Sequence, residues 1–493
     1  MPVPRSPLLA PCAVALALSH LVAAPGYGYF RDELYYLACG AHLALGYVDH
    51  PPLVGVLAAL VSHTLGHSLY ALRLMPALAA GALFWLTGAL AAALEGGTLA
   101  QLGAALVLAL APLLLALCSY FSMNAVELVL WALSFWLFLG LLRAPSTRGF
   151  ALLGGVLGLA LLNKLSTLSL GLGFALGLIG ARRDLLRTRG PYIAAAIALA
   201  CLAPHLAWQV AHDFPTLEFI RHARSEKMAP QTLGSLSFAL LTMLGPLSAP
   251  VWLLGLGRLL RGSEARALGI ACATVLLGVV LGDGKPYYVA PVMAPLFAAG
   301  MVAVARTRLR GVALGVLIAA GLVTLPLGKP VLPVATFLRY QDALGLAPQG
   351  VGERAPLGVL PQFYADMHGW PELARAVGEA HASLPPEARA RACIFAENYG
   401  QAGAIDVLGA GLPPALSGHN SYFLWGPRGC TGETVIVIGG NRAALEAHFH
   451  RVTLARTHAC ALCMPYERAK PIWIAERVTV PMSALWPLLK HYI

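Results

Sequence analysis

Apolar stretches close to twenty residues long recur from Leu8 to Leu327, and this repetition constrains the chain more than any other feature. A helix of that length rises about 30 Å, the thickness of a bilayer's hydrocarbon core. The runs fall at 8–26, 71–94, 99–118, 124–142, 150–163, 165–181, 191–210, 236–257, 265–282, 286–305 and 310–327, which predicts about eleven transmembrane helices. The stretch from Phe150 to Ile179 reads either as a bent hairpin or as one long helix, and Gly154, Gly158, Gly173 and Gly177 suit close helix packing in both cases. Composition agrees, since 58% hydrophobic and 12% charged residues leave too little polar surface to coat a soluble globule of 493 residues.

The formal charge of +11 is distributed by topology. Arg5, Arg143, Arg148, Arg182, Arg183, Arg187, Arg189, Arg258, Arg261, Arg266, Arg306, Arg308 and Arg310 fall in alternate loops, while the other loops hold only Arg31, Lys164, Arg221, Arg224, Lys227 and Lys285. The positive-inside rule then puts the first group in the cytoplasm and the C-terminus outside. Short basic loops of this kind do not make a phosphate-tracking surface, so a nucleic-acid partner is not expected. The first apolar run follows a single arginine and lacks a small-residue cleavage site, so it reads as a retained helix rather than a signal peptide.

Beyond Leu327, Pro330, Pro333, Pro348, Pro356 and Pro361 mark a linker, after which charge and short apolar segments alternate. Segments 393–396, 434–438 and 471–475 read as strands, and 363–382 and 442–449 have helical spacing. The expected division is a membrane domain over 1–328, with a first external loop at 27–70 carrying interfacial helices, and an extracytoplasmic α/β domain over 329–493. No solenoid or inverted repeat is evident. Four cysteines, Cys393, Cys430, Cys460 and Cys463, lie in this second part. One or two structural disulfides are expected there, with connectivity open, and C-A-L-C also fits a zinc half-site or redox pair.

Chemistry-bearing residues concentrate in the external loops. Y-F-R-D-E-L-Y-Y-L-A-C-G places Asp32 and Glu33 just past the first helix, with Leu34, Leu37, Ala38 and Ala41 at the spacing of an amphipathic interfacial helix. Asp32 either caps that helix, with Glu33 in water, or takes a proton from an acceptor hydroxyl. Asp49 and His50, before two prolines, are candidate substrate contacts or part of a divalent-metal site, although their spacing matches no specific ligand pattern. Lys164 and Lys285 interrupt apolar runs at the outer interface, where they either snorkel or bind a lipid phosphate. Asn124 and Glu127 open the fourth span, and a Glu there needs a partner or stays protonated. Arg221 and Arg224 are candidate phosphate contacts in an otherwise solvated loop, and Tyr287 and Tyr288 follow Lys285 as candidate substrate contacts.

Together Y-F-R-D-E-L-Y-Y-L-A-C-G, G-Y-V-D-H-P-P-L, F-S-M-N-A, L-N-K-L-S, G-K-P-Y-Y-V-A-P, E-N-Y-G-Q-A-G-A-I-D and S-G-H-N-S-Y-F-L-W-G-P resemble a bacterial branch of glycosyltransferase family 39. This is the dolichyl-phosphate-mannose protein mannosyltransferase-like superfamily, which includes the lipid A aminoarabinose transferase. The resemblance implies a polytopic α-helical membrane protein with the GT-C glycosyltransferase fold, placed in the bacterial inner membrane. It also implies a polyprenyl-phosphate sugar donor, an external active site and inversion at the anomeric carbon. The acidic residue at the reaction centre carries over to Asp32, with Glu33 beside it, and the donor-phosphate ligands to Lys164 and Lys285. Where relatives place an Asp shortly after the Met of the fourth-span motif, this chain has Met123-Asn124-Ala125 and then Glu127. A lipid-linked-sugar transporter or flippase is the alternative, which would put ionisable residues at mid-membrane. The acceptor and any metal cofactor stay open at this stage.

Overall fold

The computed structural model describes residue 4 and residues 6–348 and 352–493. Arg5, counted above among the cytoplasmic charges, lies outside the described residues. The chain divides into two compact units.

The first unit comprises residues up to Gly26, Tyr70–Trp208 and Pro230–Pro333. All eleven apolar runs are helical. Among the described residues, Leu69–Ala93, Met123–Arg143, Gly190–Ala211, Pro286–Val304 and Arg310–Gly328 are long and apolar enough to cross a membrane singly. Leu9–Val22, Thr98–Ala109, Thr147–Asn163, Thr167–Ala181 and Arg266–Leu281 are shorter apolar helices. The run expected as one span over 236–257 is instead Leu233–Leu244 and Pro246–Arg261, bent by 98°. Gly245 at the break has φ +88°, a left-handed conformation that glycine adopts without penalty, and Pro246 cannot donate the next helical hydrogen bond. The 150–179 stretch is two helices that part at Lys164.

The core of this unit is aromatic and aliphatic, with Phe138 stacked on Phe174 at 4.1 Å and Trp131 and Phe135 beside them. Small residues bring helix backbones together, as expected. A Cβ on Gly154 would stand 2.6 Å from the Ala194 carbonyl oxygen, and one on Gly177 2.3 Å from that of Ala267. The outward faces are apolar, with Leu152, Leu172, Leu199, Leu253 and Leu322 exposed. Only 11% of the apolar window of helix Arg310–Gly328 is buried, a surface suited to lipid and costly in water.

The second unit gathers Tyr27–Leu69, Gln209–Ala229 and Val334–Ile493. Its last segment begins at Val334, and two earlier loops join it. Its sheet has the order β2-β1-β3-β5-β4, where β1 is Cys393–Ala396, β2 Ala415–Leu416, β3 Thr434–Ile438, β4 Phe449–Ala459 and β5 Ala469–Val478. β1 runs parallel to β2 and β3, while β5 is antiparallel to β3 and β4. The helical stretch expected over 363–382 breaks into Gln362–Ala365 and Trp370–Ala382, with Gly369 at φ +91° between them. Disulfides join Cys393 to Cys430 and Cys460 to Cys463.

Helix Arg31–Ala41 differs from the interfacial helix expected at this position. Residues from Glu33 to Gly40 are all buried, packed between helices Leu53–Leu65 and Tyr399–Leu408. Gly40 and Gly403 permit this, since a Cβ on either would strike backbone of Ala59 or Leu34 at 2.7–2.8 Å. The apolar face read from the sequence meets protein on both sides.

Candidate active site

Asp32 and Glu33 are the second and third residues of helix Arg31–Ala41, and that difference of one position separates their roles. Glu33 Oε2 accepts the N–H of Phe30, the residue before the helix, at 2.8 Å, so its side chain turns back to satisfy a backbone donor at the helix start, and Glu33 is wholly buried. The expectation that Asp32 caps and Glu33 faces water is thus reversed. Asp32 keeps solvent access, its side chain 30% exposed.

Two groups approach the Asp32 carboxylate. The Tyr399 hydroxyl donates to Oδ1 at 2.9 Å, and Arg31 Nε lies 3.6 Å from the same oxygen, beyond hydrogen-bond reach but close in charge. Arg31 is itself fixed on several sides. Its Nη1 donates to the Tyr466 hydroxyl oxygen at 2.5 Å and lies 3.7 Å from Asp366 Oδ1, and its backbone N–H meets the Asp366 carbonyl at 3.0 Å. Burial lifts the Asp366 carboxyl to about 6, against the opposing pull of Arg31. For Arg31, burial favours loss of the proton, but Asp366 and the surrounding oxygens outweigh it and hold the guanidinium charged. We take the pair as ionised at neutral pH, because 6 lies below 7 and a guanidinium keeps its proton in proteins.

Tyr399 opens helix Tyr399–Leu408 in the motif E-N-Y-G-Q-A-G. Asn398 caps that helix by accepting the Gln401 N–H at 3.0 Å, and Asn398 Nδ2 and Gln401 Nε2 both donate to buried Glu467, at 2.8 and 2.9 Å. The Tyr399 ring lies 4.6 Å from Tyr35 and 4.7 Å from His419, with the Arg31 guanidinium 5.5 Å from its centroid. Burial, reinforced by Asp32, pushes its phenol well above the ordinary range, so it remains a donor.

Asp49 joins the same unit through Tyr35, whose hydroxyl donates to Asp49 Oδ1 at 2.7 Å and lies 2.8 Å from Ser421 Oγ. Ser421 Oγ also accepts the Val48 N–H at 3.1 Å, which ties G-Y-V-D to H-N-S-Y-F. His50, expected to contact substrate or metal, is 1% exposed among the rings of Tyr35, Tyr36 and Tyr47. Its Nδ1 lies 2.8 Å from the Pro51 carbonyl oxygen and its Nε2 3.8 Å from Cys39 Sγ. That imidazole is enclosed by packing in this structure, with its Nδ1 against a backbone carbonyl oxygen. Arg221 and Arg224 are exposed on helix Pro215–His222 and the turn that follows.

In the first unit, Lys164 sits where helix Thr147–Asn163 ends. Its Nζ donates to Glu127 Oε2 and Asn124 Oδ1, both at 2.8 Å. Ser166 Oγ donates to the other Glu127 oxygen, and Ser122 caps the helix that carries Asn124 and Glu127. Glu127 therefore has the partner its burial demands, and the pair offsets two otherwise costly charges. Lys164 Nζ stands 5.1 Å from the Tyr288 centroid and 5.8 Å from that of Tyr287, and Lys285 Nζ 6.0 Å from Tyr287. The three motifs F-S-M-N-A, L-N-K-L-S and G-K-P-Y-Y, with the glutamate that follows the first, thus converge on one polar cluster.

Among the described residues, His458, Cys460 and Cys463 are the group whose ligand atoms lie close enough for a metal, within 4.8 Å, but the two sulfurs are joined in a disulfide. The roles of Tyr399, Tyr35, Arg31, Asp366 and Tyr466 escaped the sequence reading. E-N-Y-G-Q-A-G stood out as a motif, yet nothing local announced that its tyrosine meets a carboxylate 367 positions away.

Comparison with known proteins follows this geometry. The sequence model described as dolichyl-phosphate-mannose-protein mannosyltransferase matches residues 49–208. Two crystal structures of ArnT from Cupriavidus metallidurans share the fold. The one bound to undecaprenyl phosphate has a TM-score of 0.62 at 14% identity, and the one in the apo state 0.60 at 16%. Each alignment covers 94% of this chain and 97% of that one. No curated protein matches the chain in sequence.

Proposed function

We infer that this chain, which carries the mannosyltransferase family signature over residues 49–208 and has the fold of ArnT, is an integral-membrane glycosyltransferase. It takes sugar from a polyprenyl-phosphate-linked donor and passes it, with inversion, to an acceptor outside the cytoplasm. The observation that carries this reading is the likeness over nearly the full length to an ArnT crystallised with undecaprenyl phosphate. The apolar exterior of the helical unit supports it, because a polyprenyl tail is soluble only in lipid.

Asp32 is the general base in this reading. Of the carboxylates around it, Glu33 and Asp366 are buried, and Asp32 combines solvent access with a fixed orientation. It takes the proton from an acceptor hydroxyl or amine, the acceptor's lone pair forms the new bond to the anomeric carbon, and the bond to the phosphate oxygen breaks with its electron pair left on the phosphate. Lys164 and Lys285 meet that phosphate. Because Glu127 and Asn124 already hold Lys164, it is pre-oriented, and an arriving phosphate competes with Glu127 for it. Asp49, Asn124, Tyr287 and Tyr288 are assigned to substrate contact, and Arg221 and Arg224 to the donor's headgroup.

The test is transfer from radiolabelled undecaprenyl-phosphate-linked hexose and pentose donors by detergent-purified enzyme, with envelope membranes lacking the protein as acceptor. Asp32→Asn preserves size and hydrogen bonding but cannot take a proton, and loss of a general base slows a step by about 10²–10⁴-fold. Transfer by Asp32→Asn at the wild-type rate rules out the base, and transfer from neither donor by the wild type rules out the reading as a whole.

A further inference from the structure

We propose that Tyr399 is a positioning residue for Asp32, through which the C-terminal segment contributes to the reaction centre rather than merely accompanying the membrane domain. The inference rests on the assignment of Asp32 as base, and it gives E-N-Y-G-Q-A-G a defined task.

The contact is specific in geometry and chemistry. A phenol donates to Asp32 Oδ1 at 2.9 Å, and burial, by raising its pKa well above the ordinary range, keeps it a donor at neutral pH. Such a bond fixes one oxygen of the carboxylate and thereby sets the direction of the lone pairs that remain. It also stabilises the ionised form, which is the form a base needs. A carboxylate on the first turn of a helix, with only its own Cα as anchor, would otherwise sample several rotamers.

Tyr399 is in turn held more firmly than a structural tyrosine requires. Its ring packs against Tyr35 and His419 at tilted angles, and the helix it opens is capped by Asn398 and braced by Gln401 and Asn398 on buried Glu467. Glu467 stands next to Tyr466, which donates to Asp366 and accepts from Arg31. The Asp32 oxygen is thus bounded by a donor from one element and a cation from its own helix, both anchored on residues 366 and 466–467.

The charged and titratable groups around Asp32 are Arg31 on its own helix, Tyr399 on helix Tyr399–Leu408, Asp366 on the turn after Gln362–Ala365, and Tyr466. Asp49 and Glu353 bear on Tyr399 and Asp366 from farther off. Arg31 and Asp366 oppose each other, so the hydroxyl of Tyr399 is the neutral donor whose removal changes Asp32 without adding or deleting a charge.

Tyr399→Phe removes the hydroxyl and keeps both ring contacts. The expected results, with the labelled undecaprenyl-phosphate-linked donors, are a kcat about 10-fold lower, a nearly unchanged KM for donor, and an acid limb of the kcat/KM profile moved up by about one pH unit. The position of that limb is the decisive readout, because partial loss of folded enzyme scales the profile without moving it. Asp32→Asn is run in parallel. An inactive Asp32→Asn together with an unmoved limb in Tyr399→Phe overturns the positioning role and leaves the base assignment intact. An active Asp32→Asn overturns both.

Discussion

At the scale of single residues, the pair Arg31 and Asp366 makes the sharpest demand on solvent conditions. Asp366 is 3% exposed, and burial raises its carboxyl to about 6 from an ordinary value near 3.8. A carboxyl raised in the folded state binds its proton more tightly there than in the unfolded chain. Between about pH 4 and pH 6 the unfolded state has released that proton and the folded state has not, so the group's contribution to stability falls as pH rises through this window and is flat above it. Thermal unfolding of the full chain in detergent should show that component, and Asp366→Asn should flatten it, since an amide does not titrate. An unchanged slope in Asp366→Asn would mean that another group titrates there. The same neighbourhood shows what local sequence carries and what it does not. Two adjacent acids past a helix announced a reactive pair, Lys164 with Glu127 announced a need for partners, and the resemblance carried the reaction-centre role to Asp32, but that Glu33 turns back to the Phe30 N–H while Asp32 keeps solvent access depends on one helical position that no local pattern marks. His50 looked available because a His beside an Asp is chemically versatile. The three tyrosine rings that enclose it come from two places in the loop, the adjacent Tyr35 and Tyr36 and the more distant Tyr47, and no spacing rule foretells their meeting.

At the scale of elements, apolar periodicity located the apolar helices of the first unit, though it merged Thr98–Ala109 with Pro112–Leu117, and it located three of the five strands of the second. β4 was missed because an eleven-residue edge strand spends its outward positions on charge: His450, Arg451 and Arg456 break the apolar alternation while protecting the edge from further pairing. β2 has two residues and leaves no pattern to read. The kink at Gly245 was missed for a related reason, since hydropathy averages over a bend. Disulfides belong to this scale too. Cys393–Cys430 closes a loop with a sequence separation of 37 from the start of β1, while Cys460–Cys463 spans a separation of 3. Loop-closure entropy assigns about 4 kcal/mol to the longer link and roughly half that to the shorter. Replacing Cys393 and Cys430 by Ser should therefore lower the melting midpoint of the C-terminal segment more than replacing Cys460 and Cys463, as followed by limited proteolysis of the full chain across temperature. The reverse order would show that the short link fastens something beyond its own loop, with the 466–467 contacts the first place to look.

At the scale of the whole molecule, the helix ends of the first unit differ in charge. Helix Met123–Arg143 begins at the Lys164 cluster, with Asn124 and Glu127, and ends 20 residues later at Arg143, about 30 Å away along its axis. At that far end Arg143 bonds Glu264 at 3.0 Å and the Ala93 carbonyl at 2.5 Å, and Arg182 bonds Asp184 at 2.7 Å as well as the Leu142 carbonyl. The arginines that the positive-inside rule assigned to the cytoplasm from separate loops thus meet at one end of the helical unit, opposite Lys164. If that end is cytoplasmic, the loops that begin at Tyr29 and His212 and the segment after Lys329 face outward. In intact spheroplasts, with the native free cysteines replaced, a membrane-impermeant thiol reagent should modify a cysteine introduced at Ser225 and spare one at Thr188, both of which are exposed positions. Labelling of Thr188→Cys with protection of Ser225→Cys would invert the topology. It would also place Lys164 at the cytoplasmic face, where a donor phosphate would have to be met before any flipping step, and the external reaction centre proposed for Asp32 would fall with it.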